Sequence, residues 1–145
     1  MQITLRKITE TDIEAIALLE AECFRLPWTE ADIRAGLRRF DFYGLIAENE
    51  EGAVGFLLGS LLFENAEVYR IAVTPRLRGQ GLGGRILDTF LQEVKTAGAE
   101  RVLLEVRVSN ASGRALYESR GFGVARLRKN YYEGVEDALE MVKFL

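Results

Sequence analysis

The sequence contains no histidine among its 145 residues, and this absence removes several kinds of catalytic site. A Ser-His-Asp triad, a Cys-His pair and a metal site with imidazole ligands are all excluded. An acid or base in this protein must therefore be a carboxylate, a tyrosine, a lysine, the cysteine or a chain terminus.

Cysteine and long apolar segments are also scarce. Cys23 is the only cysteine, so the chain can form neither an internal disulfide nor a zinc site built on several thiolates, and such usage is typical of a reducing compartment. Residues 1–7 lack the apolar core of a signal peptide, and the longest apolar stretch, residues 54–63, is interrupted by glycines and by Ser60. We therefore expect a cytoplasmic protein with no membrane partner and no bound metal.

The length and the composition indicate one compact domain. A chain of this size suits a single domain spanning residues 1–145. Hydrophobic residues make up 48% of the chain and charged residues 28%, which is typical of a globular protein rather than a disordered or fibrous one.

The net charge of -3 hides an asymmetry between two parts of the chain. Residues 1–69 carry 6 basic and 13 acidic side chains, whereas residues 70–145 carry 13 basic and 9 acidic ones. This split indicates either two partners of opposite charge or simply solvated faces that differ. A more local feature is a run with four arginines and no acid, which predicts an anion site: Arg70, Arg76, Arg78 and Arg85.

Hydrophobic periodicity predicts a strand and two helices in the first part of the chain. Alternation indicates a strand at residues 2–7. Thr11 and Glu14 are spaced as a capping box for a first helix, and Thr29 with Asp32 repeats the signal for a second.

The rest of the chain predicts three strands, a helix, a strand, a helix and two strands. The strands are expected at residues 42–47, 54–63, 67–73, 100–108, 123–129 and 138–144, and the helices at 82–94 and after Asn110. The complete order βααβββαβαββ is that of a mixed α/β fold, in which residues 67–108 form a parallel βαβ unit.

Glycines cluster between the strand and the helix of this unit. In such a turn, bare backbone N–H groups and the helix N-terminus can bind a diphosphate. Gly79, Gly81 and Gly84 satisfy the dinucleotide-binding pattern G-x-G-x-x-G, and Glu105 lies near the position of its ribose-binding acid. However, five residues separate Val73 from Gly79, and four strands precede the turn, whereas a dinucleotide fold begins with this unit. A helix entry rich in glycine without any ligand is a further alternative.

Residues 78–83 also fit a second pattern, Arg/Gln-x-x-Gly-x-Gly/Ala. With this motif after a fourth strand, the chain resembles the GCN5-related N-acetyltransferase (GNAT) superfamily, whose members bind the pyrophosphate of coenzyme A in this loop. The resemblance implies the GNAT acyl-CoA N-acyltransferase fold, a mixed, mostly antiparallel sheet of about seven strands flanked by about four helices, and acetyl-CoA as cosubstrate. It places the following residues around the cofactor: Ile71, Ala72, Val73, Arg78, Gly79, Gln80, Gly81, Leu82, Gly83, Gly84, Arg85 and Asn110. One departure is Gly84, where related enzymes often have an arginine or another larger residue; either Arg85 supplies that contact or nothing does.

Further motifs are similar to those of superfamily members that acetylate the N-terminal alanine of a ribosomal protein. They lie at residues 24–28, 104–110, 115–122, 128–132 and 136–141, and so cover nearly the whole chain. The resemblance implies direct transfer in a ternary complex, with Glu105 as base, Tyr117 as acid, and Tyr131 and Tyr132 at the substrate peptide. The partner would be a basic ribosomal protein.

Elementary chemistry is compatible with these roles. A protein α-amine has a pKa of about 7.7 to 8.0, against about 10.4 for lysine, so a carboxylate acting through a water molecule can serve as its base. Glu105 shares one face of its strand with Leu103 and Arg107, which is either a site or a solvated face. Tyr117 is protonated at neutral pH and can donate to a thiolate, or it is simply a core aromatic residue.

Several roles stay open from the residues alone. Asn110 either holds the pantetheine arm or only caps a helix. Tyr131 and Tyr132, expected in the connection between the last two strands and on opposite faces of it, either contact a peptide or pack a hairpin. Cys23 lies far along the chain from the motifs, so no covalent acetyl-cysteine step is expected.

Two further acids are candidates for substrate binding, and two other functions stay open. Glu20 and Glu22 are candidates to attract the basic peptide. The rivals are acetylation of a lysine or a small amine, and a non-catalytic regulator that binds acetyl-CoA. We expect a monomer or a weak dimer that makes no direct contact with nucleic acid.

Overall fold

The computed structural model describes residues 2–145. Its strands are β1 (Thr4–Lys7), β2 (Phe42–Asn49), β3 (Gly52–Leu62), β4 (Asn65–Val73), β5 (Arg101–Arg107), β6 (Gly123–Tyr132) and β7 (Glu136–Phe144). Its α-helices are α1 (Ile13–Cys23), α2 (Glu30–Leu37), α3 (Leu82–Thr96) and α4 (Ala111–Ser119), and short 3-10 turns lie at Glu10–Asp12 and Pro75–Leu77. The predicted element order is confirmed.

All of these strands belong to one sheet, with the order β1-β2-β3-β4-β5-β7-β6. Every neighbouring pair is antiparallel except β4 and β5, which α3 connects in parallel. The predicted mixed, mostly antiparallel sheet with one βαβ unit is therefore confirmed. A dinucleotide-binding sheet would need further parallel strands beside this pair.

Helices cover both faces of the sheet. The side chains of the central strands therefore alternate between two hydrophobic cores, one on each face. Phe56 and Leu58 of β3 pack with Ile16 of α1 and Ile33 of α2. Leu57, between them, belongs to a larger core that includes the apolar stripe of α3. The continuous hydrophobic run of β3 thus follows from burial on both sides.

The start of the first helical segment differs from the prediction. The turn begins one residue after Thr9, and the carboxylate of Asp12 accepts the Thr9 backbone N–H at 2.8 Å. Arg6 of β1 also binds Asp12, at 2.7 and 2.8 Å, so a contact with the preceding strand favours this cap over Thr11 and Glu14. The predicted box of Thr29 and Asp32 is confirmed at the start of α2.

The parallel pair β4 and β5 separates partway along its length. The two strands pair only from Asn65 with Arg101 to Val68 with Leu104. Tyr69 is an extra residue of β4 opposite β3, a bulge that turns the second half of β4 away. A gap therefore opens between Ile71–Val73 and the end of β5.

None of the helices within residues 2–145 combines the length and the apolar character needed to cross a membrane.

Candidate active site

A cavity of about 960 Å³ opens on the face of the sheet that carries α1 and α2. Side chains from α2, β3, β4, β5 and the β6–β7 pair line it, and we name it the central cavity. Glu105, Tyr131 and Tyr132 are part of its wall, whereas Tyr117, Asn110 and the glycine-rich turn before α3 are not. The predicted site residues are thus divided between this cavity and the region around α3 and α4.

Glu105 presents its carboxylate to the central cavity from β5. Its Oε1 accepts a hydrogen bond from Nη1 of Arg128 at 3.3 Å. Its Oε2 is buried and lacks a hydrogen bond of regular geometry among the described residues. The face of β5 that holds Glu105 is therefore a cavity wall, with Arg128 and Tyr131 next to its carboxylate.

Glu67 is another of the carboxylates that line the same cavity, and the sequence patterns did not identify it. It lies on β4, the strand beside the one that carries Glu105. Burial, and then the negative charge of Glu105, raise the pKa of Glu67 above its ordinary value. The only signal in the sequence is its alternation with Ala66 and Val68, which places it on the opposite face from those buried residues.

Tyr131 and Tyr132 both line the central cavity, contrary to the prediction of opposite faces. They belong to the end of β6 rather than to a connection, and their rings meet edge to face with centroids 5.1 Å apart. The alternation fails because the pairing of β6 with β7 is irregular between Arg128 and Tyr132, and Asn130 has a φ of 51°.

Each tyrosine is held by an arginine and is close to Glu105. The guanidinium of Arg128 lies 4.7 Å from the ring centroid of Tyr131, and that of Arg107 lies 4.3 Å from that of Tyr132. The Glu105 carboxylate, as a hydrogen-bond acceptor, raises the pKa of Tyr131. Burial and then the charge of Glu105 raise the pKa of Tyr132. Both phenols therefore stay protonated beside the carboxylate at neutral pH.

Tyr117 lies in α4 and is only 7% exposed. Its ring packs edge to face against Phe122, with centroids 5.7 Å apart. Burial, with a smaller contribution from Tyr132, raises the pKa of Tyr117 to about 12. The residue is thus a core aromatic as well as a phenol that keeps its proton at neutral pH.

The segment between α1 and α2 is attached to β4 by a buried ion pair. Glu20 is fully buried and accepts hydrogen bonds from Arg70 at 2.6 and 2.8 Å and from the backbone N–H of Trp28 at 2.8 Å. The guanidinium of Arg70 lies 4.0 Å from the ring centroid of Phe24. The expectation that Glu20 attracts a basic peptide is therefore wrong, because its charge is neutralised inside the protein. Arg70 is likewise committed to this pair.

The glycines around the start of α3 are explained by two different structural requirements. Gly79 and Gly81 have φ values of 77° and 83°, in the left-handed region that favours glycine. Gly84, inside α3, instead allows close packing, since a Cβ there would lie 2.7 Å from Cζ of Arg120. A Cβ at Gly83 would make only ordinary van der Waals contact with Leu116 of α4, at 3.8 Å. Backbone geometry thus accounts for Gly79 and Gly81, and packing accounts for Gly84.

The N-terminus of α3 is electrostatically open. Gly81 is its N-cap, no side chain caps it, and its first turn contains no acidic residue. By contrast, α2 has a capping box with Glu30 and Asp32 in its first turn. The first N–H groups and the positive end of the helix dipole are therefore available to an anion.

Arg78 and Arg85, the two arginines predicted at the cofactor, contact different parts of the protein. Arg78 donates from Nε to the carbonyl oxygen of Val73 at 3.0 Å, which closes the turn on itself. Arg85 donates to the carbonyl oxygen of Ile3 at 2.9 Å, toward β1. The suggestion that Arg85 substitutes for a larger residue at position 84 is thus not supported by its contact.

Cys23 lies close in space to the end of β4, although it is far from that strand in sequence. Its Sγ is 3.5 Å from the carbonyl oxygen of Val73, and burial raises the pKa of the thiol. The expectation about Cys23 assumed that its distance along the chain keeps it away from the site, and that assumption is wrong. The raised pKa keeps this group as a thiol, which is a poor nucleophile.

Asn110 caps α4, as one of its two predicted alternatives states. Its Oδ1 accepts the backbone N–H of Gly113 at 2.9 Å. The side-chain oxygen is thus engaged in the helix start.

No group of three or more carboxylate or cysteine side chains that could hold a metal ion occurs within residues 2–145.

Comparisons with known proteins agree on one family. Residues 13–122 match the acetyltransferase (GNAT) family. The ribosomal protein bS18-alanine N-acetyltransferase of Escherichia coli (strain K12) is 35% identical over 143 residues, which cover 95% of each chain. The crystal structure of the ribosomal-protein-S18-alanine N-acetyltransferase from Escherichia coli has a TM-score of 0.91 at 31% identity and covers 97% of this chain and 92% of that one. The crystal structure of Ard1 from Thermoplasma volcanium has a TM-score of 0.91 at 26% identity, with coverage of 100% and 99%.

Proposed function

The chain belongs to the acetyltransferase (GNAT) family, and from this premise we propose that it transfers the acetyl group of acetyl-CoA to the N-terminal α-amine of a ribosomal protein. The proposed substrate is the N-terminal alanine of bS18, the protein named for the relatives from Escherichia coli. This target places the reaction in the cytoplasm.

The observation that supports the proposal most strongly is the Glu105 carboxylate in the central cavity. It has one buried oxygen without a regular hydrogen bond, and two protonated tyrosines flank it. A cavity of this kind can accept the end of a peptide, with an acceptor for its amine and aromatic rings for its backbone.

Acetyl-CoA would lie between the open N-terminus of α3 and the gap between β4 and β5. The amides of the turn, including those of Gly79 and Gly81, would bind its diphosphate. Beyond Val68, β4 has no pairing with β5, so the backbone of Ile71–Val73 would pair with the pantetheine amides and polarise a carbonyl. When bound, acetyl-CoA supplies the acetyl group as an activated thioester.

Glu105 acts as the general base in this proposal. The peptide α-ammonium, with a pKa of about 7.7 to 8.0, gives up a proton to Glu105 through a water molecule, and the neutral amine then attacks the thioester carbonyl. As the C–N bond forms and the C–S bond breaks, the nitrogen loses its second proton to water. A lysine, with a pKa of about 10.4, would be far harder to deprotonate with a carboxylate. The same cavity therefore favours an N-terminus over a lysine side chain.

Tyr117 acts as the general acid. Its hydroxyl carries a proton at neutral pH and can donate it to the sulfur as the C–S bond breaks, after which the phenol is reprotonated from solvent. Burial, which raises the pKa of Tyr117 to about 12, makes it a weaker acid than an ordinary phenol. Transfer is direct, because the thiol of Cys23 stays protonated and is not needed as an acceptor.

The function is tested with a panel of peptides that begin with Ala, Ser or Met, alongside blocked peptides with internal lysines, incubated with acetyl-CoA and analysed by mass spectrometry. We expect acetylation at the N-terminus, fastest on the alanine peptide. Acetylation of lysines alone would instead support the lysine alternative. Absence of any product, together with a higher melting temperature in acetyl-CoA, would support a non-catalytic regulator.

A thermal shift assay separates the two nucleotide interpretations of the turn before α3. Acetyl-CoA should raise the melting temperature, whereas NADH and ATP should not, because only the first binds the native state tightly. An equal shift with NADH would reinstate dinucleotide binding.

A further inference from the structure

The guanidinium of Arg120, at the end of α4, covers Gly84 in the first turn of α3. A Cβ at position 84 would lie 2.7 Å from Cζ of Arg120 and 3.2 Å from Nη1, and closer still to Nη2. These separations are shorter than van der Waals contact, so any larger residue at 84 would displace the guanidinium. The glycine and the arginine are therefore coupled: this placement of Arg120 requires Gly84.

This arrangement puts a positive charge beside the positive end of a helix. Such a position is unfavourable for a cation unless an anion lies nearby, because the dipole of α3 repels it. The first turn of α3 itself contains no acidic residue. Within residues 2–145, the acid that pairs with Arg120 is Asp88, one turn further along, whose carboxylate accepts from Arg120 Nε at 3.1 Å and from Nη2 at 3.3 Å.

The guanidinium is also held in a fixed orientation. Its Nη1 donates to Ser119 Oγ at 2.9 Å, and the Arg120 side chain keeps 30% of its surface exposed. Asp88 is more exposed, at 57%, so this ion pair is solvated and weak. An oriented, accessible guanidinium next to uncapped helix amides is a combination that binds phosphate groups.

We propose that Arg120 binds a phosphate group of the coenzyme, together with the amides at the start of α3, and that Gly84 is small in order to admit it. Arg120 thus supplies from α4 the cation that a larger residue at position 84 would otherwise supply from α3. The inference rests on the proposed function, because it assumes that the coenzyme binds at this turn. It concerns the phosphate contact alone and adds no step to the reaction.

The first test is the affinity of coenzyme A and of 3′-dephospho-coenzyme A for the wild type and for Arg120→Leu, measured by calorimetry. The loss of a charge-assisted hydrogen bond should weaken binding of coenzyme A by about tenfold or more. If 3′-dephospho-coenzyme A loses as much, Arg120 binds the diphosphate; if it loses nothing, Arg120 binds the 3′-phosphate. Equal affinities of wild type and variant for coenzyme A, within about twofold, would overturn the inference.

Failure of the inference is distinguishable from failure of the proposed function. If the wild type itself does not bind coenzyme A, the proposed function fails. If the wild type binds and Arg120→Leu binds equally well, only the role of Arg120 fails. In steady-state kinetics, Arg120→Leu should raise the KM for acetyl-CoA and leave kcat at saturation unchanged.

Asp88→Asn separates a phosphate contact from a merely structural ion pair. This variant removes the partner of Arg120 but keeps the guanidinium, so it should bind coenzyme A at least as tightly as the wild type. If Arg120 acted only by pairing with Asp88, then Asp88→Asn and Arg120→Leu would weaken binding alike, which would overturn the inference.

A rescue experiment tests the coupling between the two positions. Gly84→Arg alone should displace the Arg120 guanidinium, because its Cβ would occupy the same space. The double variant Gly84→Arg with Arg120→Leu removes that collision and restores one arginine at the same place. It should fold normally and recover most of the affinity lost in Arg120→Leu, whereas no recovery in a folded double variant would contradict the proposal.

Discussion

Arg25, between α1 and α2, forms an ion pair with Glu133, in the turn between β6 and β7. Glu133 also pairs with Arg107 of β5, and the two arginines lower the pKa of its carboxyl. The segment of Arg25 carries Trp28 and the hairpin carries Tyr132, and both of these residues line the central cavity. The ion pair therefore links two walls of the cavity that are distant in sequence.

Removal of this link should affect the peptide rather than the coenzyme. Arg25→Ala should raise the KM for the peptide by less than about fivefold, because an exposed ion pair contributes about 0.2 to 1 kcal/mol. The KM for acetyl-CoA should not change. Arg38→Ala removes an exposed arginine at the end of α2 and is the matched control. A larger effect on acetyl-CoA than on the peptide would contradict the proposed placement of the two substrates.

Loss of the base should slow the reaction without unfolding the protein. Glu105→Gln should lower kcat at neutral pH by about 10²- to 10⁴-fold, the usual contribution of acid-base catalysis. Glu140→Gln is the matched control, since Glu140 is paired directly opposite Glu105 in β7 and lines the same cavity. Equal effects of the two variants would show that negative charge in the cavity, rather than a base at Glu105, supports turnover.

The pH dependence tests Tyr117. The rate at low peptide concentration should rise as the α-amine loses its proton, near a pKa of about 8, and then stay level to about pH 10. A raised pKa means that the phenol keeps its proton over this range, and burial raises the pKa of Tyr117 to about 12. A decline of the rate between about pH 8 and pH 10 would contradict its assignment as the acid.

Substitution of Tyr117 completes this test. Tyr117→Phe should lower kcat by about 10²- to 10⁴-fold with the melting temperature nearly unchanged. Tyr69→Phe alters another tyrosine that lines the central cavity and should keep wild-type turnover. Wild-type turnover in Tyr117→Phe would instead leave Tyr117 with its packing role alone.

The backbone of the turn before α3 is tested by substitution of glycine. Gly81→Ala should destabilise the protein by about 1 to 2 kcal/mol, because Gly81 has a φ of 83°. It should also raise the KM for acetyl-CoA, since the first amides of α3 would shift. Gly36→Ala, inside α2 with no atom within 4 Å of the added Cβ, should stabilise the protein by about 0.5 to 1 kcal/mol. Urea unfolding measures both, and the same sign of change in the two variants would contradict this account.

The sequence predicts the order of the elements and one face of β5, because both depend on local periodicity. Glu105 could be assigned to a face by alternation with Leu104 and Val106, and the structure puts that face in the cavity. Alternation failed at Tyr131 and Tyr132, since an irregular pairing with β7 cannot be read from β6 alone.

Contacts between distant segments were beyond the sequence patterns. Glu20 looks like a surface acid of an amphipathic helix, and only the fold brings Arg70 to it. In the same way, Gly84 looks like part of a phosphate motif, and only the packing of α4 shows that Arg120 occupies its space. In both cases the two residues are distant in sequence, and only the packing of the folded chain brings them together.

The most direct test of the central claim is a crystal structure with bound acetyl-CoA. We predict the diphosphate on the backbone amides between Gly79 and Gly84, the pantetheine in the gap between β4 and β5, and the thioester between Glu105 and Tyr117. A coenzyme bound elsewhere, with the turn before α3 filled only by side chains, would contradict the account.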